Sequence, residues 1–404
     1  MARLASGFAQ AGMAVEALAP PGATVIASRY LDRWHRYRAL RPLSSLASAI
    51  AAAAPDLLVC CDDRTVMHVL TLHRRTRAQG KSGAAIMKLI ERSLGHPRVY
   101  RRMISRDGFL AEARAEGIRT PDTMCLVTEH DLKQALAELG VPLVLKVDGS
   151  WGGEGVVIAR NRTDALAAFR KLSGPPSRVR SVARALKRHD AHFLRDAVAC
   201  EKRRVSAQRF VAGHCAASAI ACWQGEVIAE IDYDVLVADG TIGPPNVIRR
   251  VDCPELREAS RKIAKHFGLS GIHGMDFIRD EAGHVHLIEI NPRATQGSTL
   301  AFGRGADLPA ALAACFLPDA ACRPAIAGEL VALFPRVWLR DPLSPYLASA
   351  HHDVPWDDPQ VLFATLGIKS HQLRGAHLPS FASAPTVPGL TPPRAFARLM
   401  AKVR

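Results

Sequence analysis

No stretch of this sequence stays apolar long enough to cross a membrane. The most apolar run, LASAIAAAAPDLLVCC, is broken by Pro55 and Asp56, well short of the ~20 residues that a span requires. The N-terminus, MARLASGFAQAGM, has no apolar core of signal-peptide length. Both absences lead us to expect a soluble, cytoplasmic protein with no membrane partner. There is no CxxC pair among the nine cysteines, and their number is odd. That spacing fits neither a disulfide framework nor a zinc site, so the thiols are read as reduced. Aromatics make up only 6% of the chain, and no block of Lys and Arg interleaves with them. The formal net charge of +15 therefore does not predict nucleic-acid binding. Ala and Arg are heavy throughout, which fits a composition bias, although a basic chain favours anionic partners. No internal repeat is present.

What is present is an ordinary globular balance over 404 residues, 48% hydrophobic and 23% charged. That length predicts about two to four domains. In residues 1–98, helix and strand signals alternate: ATVIAS and PDLLVCCDD read as strands, LSSLASAIAAAA and RTVMHVLTLHRRT as helices. Such alternation implies βαβ units and a parallel sheet. The chain opens on a helix where a doubly wound domain usually opens on a strand, which leaves the completeness of the N-terminus open. Residues 99–200 read helix, strand, helix, strand, glycine loop, return strand and helix, then a basic helix from Arg178 whose charged face is either solvated or a lid over an anionic site. Thr128 is the expected cap of TEHDLKQALAELG, with Asp131 in the first turn. Residues 201–320 carry several strands, one helix and a hairpin. Residues 321–404, rich in Pro, His and Trp, read as an irregular extension wrapped on the main body.

Two stretches carry chemistry. In KVDGSWGGEGV, four glycines follow an apolar strand that ends in Lys146. The strand alternates Leu143, Leu145 and Val147 against Val144, Lys146 and Asp148. Glycines permit close backbone approach to phosphate oxygens, but the spacing fits neither GxxxxGK[ST] nor GxGxxG. Taken alone, the loop is either a flap over phosphates or a plain hairpin turn. The second stretch is MDFIRDEAGHVHLIEIN, two alternating strands joined by DEAGH. A regular hairpin sets Asp276 roughly opposite Glu289, within one or two residues, and Glu289 shares a face with Asn291. Facing carboxylates destabilise a sheet, and a hard cation with oxygen ligands removes that penalty. Arg293 follows in NPRATQGS, placed to stabilise charge in phosphoryl transfer.

Together the stretches SRDGFLAEARAEGIRTPDT, PLVLKVDGSWGGEGVVIA, QRFVAG, GMDFI and LIEINPRATQGS, in this order, resemble the ATP-grasp superfamily, and within it the carboxylate–amine ligase-like enzymes. The resemblance covers nearly all of residues 15–320. It implies an α/β and α+β architecture: a Rossmann-like pre-ATP-grasp domain over 1–98, a small lobe over 99–200, a large lobe with the metal site over 201–320, and the extension over 321–404. It implies ATP and Mg2+ (or Mn2+) as cofactors, with small-molecule carboxylate and amine substrates joined through an acyl phosphate. A homodimer is an expectation by analogy alone. Carried onto this sequence, Lys146 and Arg106 bind phosphates, and Gly152, Gly153 and Gly155 form the flap. Gln208 to Val211 meet the adenine, with Arg209 and Val211 offering backbone groups. Asp276, Glu289 and Asn291 hold the metal, and Arg293 and Lys146 are catalytic.

Three positions depart from the family pattern. Arg106 stands where a lysine is frequent, Gln208 where the hinge often has glutamate, and Cys215 where a ribose-binding acid is common. Glu201 and Glu230 are alternatives for the ribose. His273 is expected nearest the substrate among the histidines, whereas His284 and His286 are expected in structural roles, on a face that Glu289 does not share in a regular strand. Trp151 is a bulky ring inside the glycine loop, and Thr295, Gln296 and the FGRG loop at 302–305 are expected to face the substrate. Two rival functions remain: an ATP-grasp carboxylase or kinase-like enzyme with a non-amine acceptor, and a non-catalytic ATP-binding module.

Overall fold

The computed structural model describes residues 2–78, 80–147, 155–174, 204–240, 243–341 and 343–368. Along the chain run α1 (Arg3–Gln10), β1 (Glu16–Ala19), β2 (Arg33–Arg36), α2 (Pro42–Ala53), α3 (Asp63–Ala78), α4 (Ala84–Leu94), α5 (Tyr100–Ile104) and α6 (Arg106–Ala115). Then come β3 (Thr123–Leu126), α7 (Glu129–Glu138), β4 (Leu143–Val147), β5 (Val156–Ala159), α8 (Arg162–Ser173), β6 (Val205–Arg209), β7 (Gly213–Trp223), β8 (Glu226–Ala238), β9 (Pro245–Arg250) and α9 (Pro254–Phe267). After these follow β10 (Gly271–Asp280), β11 (Val285–Asn291), α10 (Leu308–Ala313), β12 (Leu330–Ala332), α11 (Arg336–Arg340), α12 (Tyr346–Ser349), β13 (His351–His352) and α13 (Pro359–Leu366).

The strands form three sheets. A four-stranded sheet has the order β3-β6-β4-β5, and a seven-stranded sheet the order β11-β10-β7-β8-β9-β12-β13. β1 and β2 form a separate parallel pair. In the four-stranded sheet, Leu143, Leu145 and Val147 of β4 pack with α7 and α8 in a core of their own. The period-2 alternation of a strand then turns Lys146 to the opposite face. Helix α7 is fixed by the expected cap: Thr128 Oγ1 accepts from Asp131 N at 3.2 Å, and Asp131 Oδ2 accepts from Thr128 N at 2.8 Å. This capping box contributes about 1 kcal/mol at the Thr128 end. Helix α8 is capped by Asn161, whose side chain accepts from Asp164 N.

The seven-stranded sheet is covered on both faces. One face carries Ile220, Met275 and Phe277, packed under α2, α3, α4, α6 and α9. The other carries Ala217, Ala219, Ile231 and Tyr233, packed under α1 and the segment from Ala294 to Leu312. Strands buried on two faces read as near-continuous apolar runs, which explains why HCAASAIACW was legible as a strand.

The N-terminal region differs from expectation. ATVIAS contains a short 3-10 helix, Thr24–Ala27. The second strand is instead RWHR, a mostly exposed segment with no apolar alternation. PDLLVCC forms no strand: Leu58 N donates to Ser93 Oγ at 2.9 Å, and Cys60 O accepts from Ala294 N at 2.9 Å. Its backbone groups are satisfied by a side chain and a loop rather than by a ladder. The C-terminal extension is more regular than expected, since β12 and β13 extend the large sheet. It also clamps the N-terminal segment: Ser28 Oγ donates to buried Asp358 at 2.5 Å, and Arg3 pairs with Asp353. The basic helix from Arg178 and the last part of the extension lie outside the described residues. No described helix is long and apolar enough to cross a membrane.

Candidate active site

Hairpin β10–β11 sets Asp276 directly opposite Glu289. The pairing is not regular. Phe277 faces Leu287, so Ile288 is an extra residue that forms a β-bulge. Without it, Asp276 would face Ile288 and Glu289 would turn away. The bulge also places Glu289 on the face of His286, contrary to the parity of a regular strand. His286 nevertheless serves the turn: its Nε2 lies 3.0 Å from Asp280 Oδ2, and His284 N donates to Asp280 Oδ1 at 2.9 Å. His286, then the His284 amide, hold the Asp280 carboxyl down to about 2. These contacts agree with the structural roles expected for both histidines.

Burial, then the charge of Glu289, pushes Asp276 up to about 6. Asn291 Nδ2 donates to Asp276 Oδ2 at 2.8 Å, and Asn291 Oδ1 accepts from Arg293 Nη2 at 3.1 Å. Gly274, opposite Asn291, keeps this corner tight. A Cβ there would lie 2.3 Å from Thr295 Cγ2, so the NPRAT loop folds back onto β10 only over a glycine.

Three cations gather near the carboxylates, Arg106 and Lys146 from other segments and Arg293 from just past β11. Arg106, the first residue of α6, donates to Glu289 Oε1 at 2.8 Å and to Val147 O at 2.6 Å. It ties the end of β4 to the acidic pair. Lys146 is 5% exposed. Burial brings its ammonium down to about 8, with Glu289 and Asp276 opposing and Arg106 assisting. Arg293 Nε donates to Asp63 Oδ2 at 2.8 Å. Asp63 opens α3, and burial raises its carboxyl against the pull of Arg293. The sequence reading missed Asp63 as a partner; its only trace was the pair of acids ending PDLLVCCDD.

Other expected residues fall differently. Gly155 is part of the hairpin base rather than the flap, since its carbonyl accepts from Val147 N at 2.9 Å. Gly152, Gly153 and Trp151 lie outside the described residues, as does Glu201. Gln208 is buried, with Nε2 directed to Thr123 Oγ1 at 3.3 Å. The Arg209 amide is already taken by Asp122 O at 2.8 Å, so it is not available to a ligand. The Arg209 side chain fastens β6 to Leu139 O and Glu138 O. Val211, in the loop that follows, is half-buried.

His273 is not on the substrate side. It pairs with Ile220 on the face opposite Asp276, is 1% exposed, and is pushed down to about 4 by burial. Glu230 does not replace the ribose acid, because it too pairs with Ile220 on that far face. Cys215 lies on the site's own face, exposed, opposite Ile278. The FGRG loop does not face the site either. Phe302 is in the core, and Arg304 lines a cavity at the edge of β8. Gln296, three residues after Arg293, has its Oε1 buried and unpartnered among the described residues.

Among the described residues, no group of three or more His, Cys, Asp or Glu could hold a metal. Two carboxylates and one carboxamide form an all-oxygen set, the kind magnesium takes when substrate phosphates complete its shell. Burial and the facing Glu289 charge raise the Asp276 carboxyl, and a divalent cation would offset both, so these residues fit one.

Residues 110–297 match the family model described as an ATP-grasp domain, and the chain carries that domain. Three solved structures show the same fold. The biotin carboxylase domain dimer of the Hydrogenobacter thermophilus 2-oxoglutarate carboxylase, in complex with MgADP, ADP and bicarbonate, has a TM-score of 0.53 at 17% identity, over 77% of this chain and 66% of that one. This chain thus spans just under two thirds of that domain. N5-carboxyaminoimidazole ribonucleotide synthetase from Thermus thermophilus has a TM-score of 0.53 at 13% identity, over 76% of this chain and 73% of that one. The biotin carboxylase–β,γ-ATP complex from Campylobacter jejuni has a TM-score of 0.54 at 14% identity, over 80% and 69%. At such identities the likeness is one of fold. No curated protein matches the sequence.

Proposed function

We propose that the protein is an ATP- and Mg2+-dependent ligase that activates a carboxylate as an acyl phosphate and couples it to an amine, releasing ADP and phosphate. The observation that carries this reading is the Asp276–Glu289 pair with Asn291 at the end of the same hairpin, Arg293 just past it and Lys146 buried beside it. Two of the similar structures support it, one being a complex with MgADP, ADP and bicarbonate and the other a complex with ATP.

In this reading Lys146 and Arg106 hold the nucleotide phosphates. Asp276, Glu289 and Asn291 hold magnesium, with the Asn291 amide turned to offer its oxygen. The cation supplies neutralisation of charge on the phosphates. Arg293, aimed by Asp63, stabilises the phosphoryl group as the substrate carboxylate oxygen attacks it and the bond to ADP breaks. The amine nitrogen then attacks the acyl carbon, and phosphate leaves. Positioning and charge neutralisation supply the catalysis, without a covalent role for the protein. The end of β6 and the loop after it, with Gln208, Arg209 and Val211, border the adenine, contributing groups other than the Arg209 amide. The free oxygen of Gln296 supports a substrate donor group close to Arg293.

An ADP-release assay with pooled carboxylates and pooled amines tests the reading, with mass spectrometry of the product. ADP release that needs both pools, with an amide as product, is the expected result. ADP release with a carboxylate and no amine would favour a non-amine acceptor. Nucleotide binding without ADP release under every pool would favour a binding module, a reading that the intact Asp276, Glu289, Asn291 and Arg293 set opposes.

A further inference from the structure

The chain has a second polar centre that the ligase reading does not use. β9 pairs with β8 only from Tyr233 onward. Past Arg250 the chain leaves for α9, so among the described residues no strand lies beside the edge of β8 before Tyr233. Two single bonds remain there, from Val251 N to Asp232 O at 3.0 Å and from Glu230 N to Gly305 O at 2.9 Å. A cavity of about 460 Å3 opens at this edge, within the ~300–1,000 Å3 of small-molecule pockets.

The cavity is charged in two layers. At its floor Glu230 and Asp232 stand two apart on one face of β8, with Asp232 only 6% exposed. Ser218 Oγ donates to Asp232 Oδ1 at 2.5 Å, whereas Glu230 Oε1 is buried with no partner among the described residues. At its mouth stand Arg250, Arg261 and Arg304, all exposed. Arg250 lies over the Phe302 ring at 4.9 Å. Arg257, the fourth arginine of the lining, is held by Asp252 at 2.5 Å. Among the described residues, Arg250, Arg261 and Arg304 have no carboxylate within ion-pair distance, although Glu329 also lines the mouth. These three side chains, gathered around one cavity, are available to an anionic group.

A simple anion would meet repulsion from the floor, and a simple amine would leave the arginines unused. A molecule with an ammonium at one end and a carboxylate at the other satisfies both layers. We propose that this cavity binds a small α-amino acid, its ammonium on Glu230 and Asp232 and its carboxylate between Arg261 and Arg304. Burial raises both floor acids, and Asp232 is raised further by the neighbouring Glu230 charge. The empty pair therefore retains a proton that the ammonium replaces. The pair lies on the far face of the sheet from Asp276, so the bound amino acid is not a reactant at the nucleotide site. It is a separate ligand.

Isothermal titration of the full chain tests the proposal, using each proteinogenic L-amino acid in turn. Inorganic phosphate, acetate and ethylamine serve as single-ended probes. At least one amino acid is expected to bind more tightly than any of the three. Glu230→Gln, and separately Arg261→Ala with Arg304→Ala, are expected to weaken it by at least about tenfold. Binding of MgADP should stay unchanged in both variants, which also reports that they fold. Three results would overturn the proposal: no amino acid binding at about 10 mM, phosphate binding in place of amino acids, or amino acid binding that survives both variants.

Discussion

The two faces of the seven-stranded sheet each bury a pair of carboxylates, and they treat the pair differently. Asp276 and Glu289 face each other across two strands, while Glu230 and Asp232 follow each other on one. The first pair draws two cations from remote segments, Arg106 on Glu289 and Lys146 beside both, and a third, Arg293, from its own hairpin's end through Asn291. Its Asp276 is raised only to about 6. The second pair is met mainly by a hydroxyl, with guanidinium groups farther out, and burial raises both of its members. Equivalent acids thus acquire different charge states from what other parts of the chain bring within a few ångströms. The first is ready for a divalent cation and phosphates, the second for a group that carries its own proton.

Removing the catalytic cation is the strongest way to break this contrast. Arg293→Ala should lower turnover by about 10³-fold, as for arginines that stabilise phosphoryl transfer; steady-state ADP release would show it, and unchanged turnover would remove Arg293 from the mechanism. Next comes its support. Asp63→Asn leaves Arg293 in place, held by Asn291 and Ala294 but without its ion pair, and should cost about 10- to 100-fold in kcat, the range seen when the partner of a functional group is lost. Its KM for ATP should change little. Arg106→Lys keeps the charge but cannot span both Val147 O and Glu289, so KM for ATP should rise by about tenfold.

The smallest effect belongs to the other face. Asp232 binds its proton more tightly in the folded chain than at its ordinary value of about 3.9. Its contribution to stability is therefore fully present below that value and is lost as pH rises through the raised folded one. Urea midpoints should fall between about pH 5 and pH 8. Asp232→Asn should flatten that slope, and an unchanged slope would show that the pair does not hold the proton. Asp63 and Asp276 shift in the same direction, so part of the slope should remain.

How far the sequence reveals this contrast depends on range. Lys146 was legible as a residue facing away from the small lobe's core, because the alternation of β4 is local. The hairpin was legible from two alternating strands around DEAGH, and so was the approximate meeting of Asp276 and Glu289. The bulge at Ile288 was not, since nothing in VHLIEIN distinguishes the residue that drops out of register. Asp63 was invisible as a partner because Arg293 meets it only after the chain has folded across 230 positions. RWHR was missed for a different reason: β2 is mostly exposed, so it needs no apolar alternation. Glu230 looked available to the nucleotide until the register of β7 and β8 placed it on the far face.

The central claim is that Lys146, Glu289 and Asp276 form one nucleotide and metal site from segments distant in sequence. Calorimetric titration with ADP, with and without magnesium, tests it most directly in the wild type, Lys146→Met and Glu289→Gln. The account predicts that magnesium tightens ADP binding in the wild type. It predicts that Glu289→Gln abolishes that gain and that Lys146→Met weakens ADP binding with or without the metal. Wild-type affinity and wild-type magnesium dependence in both variants would contradict it.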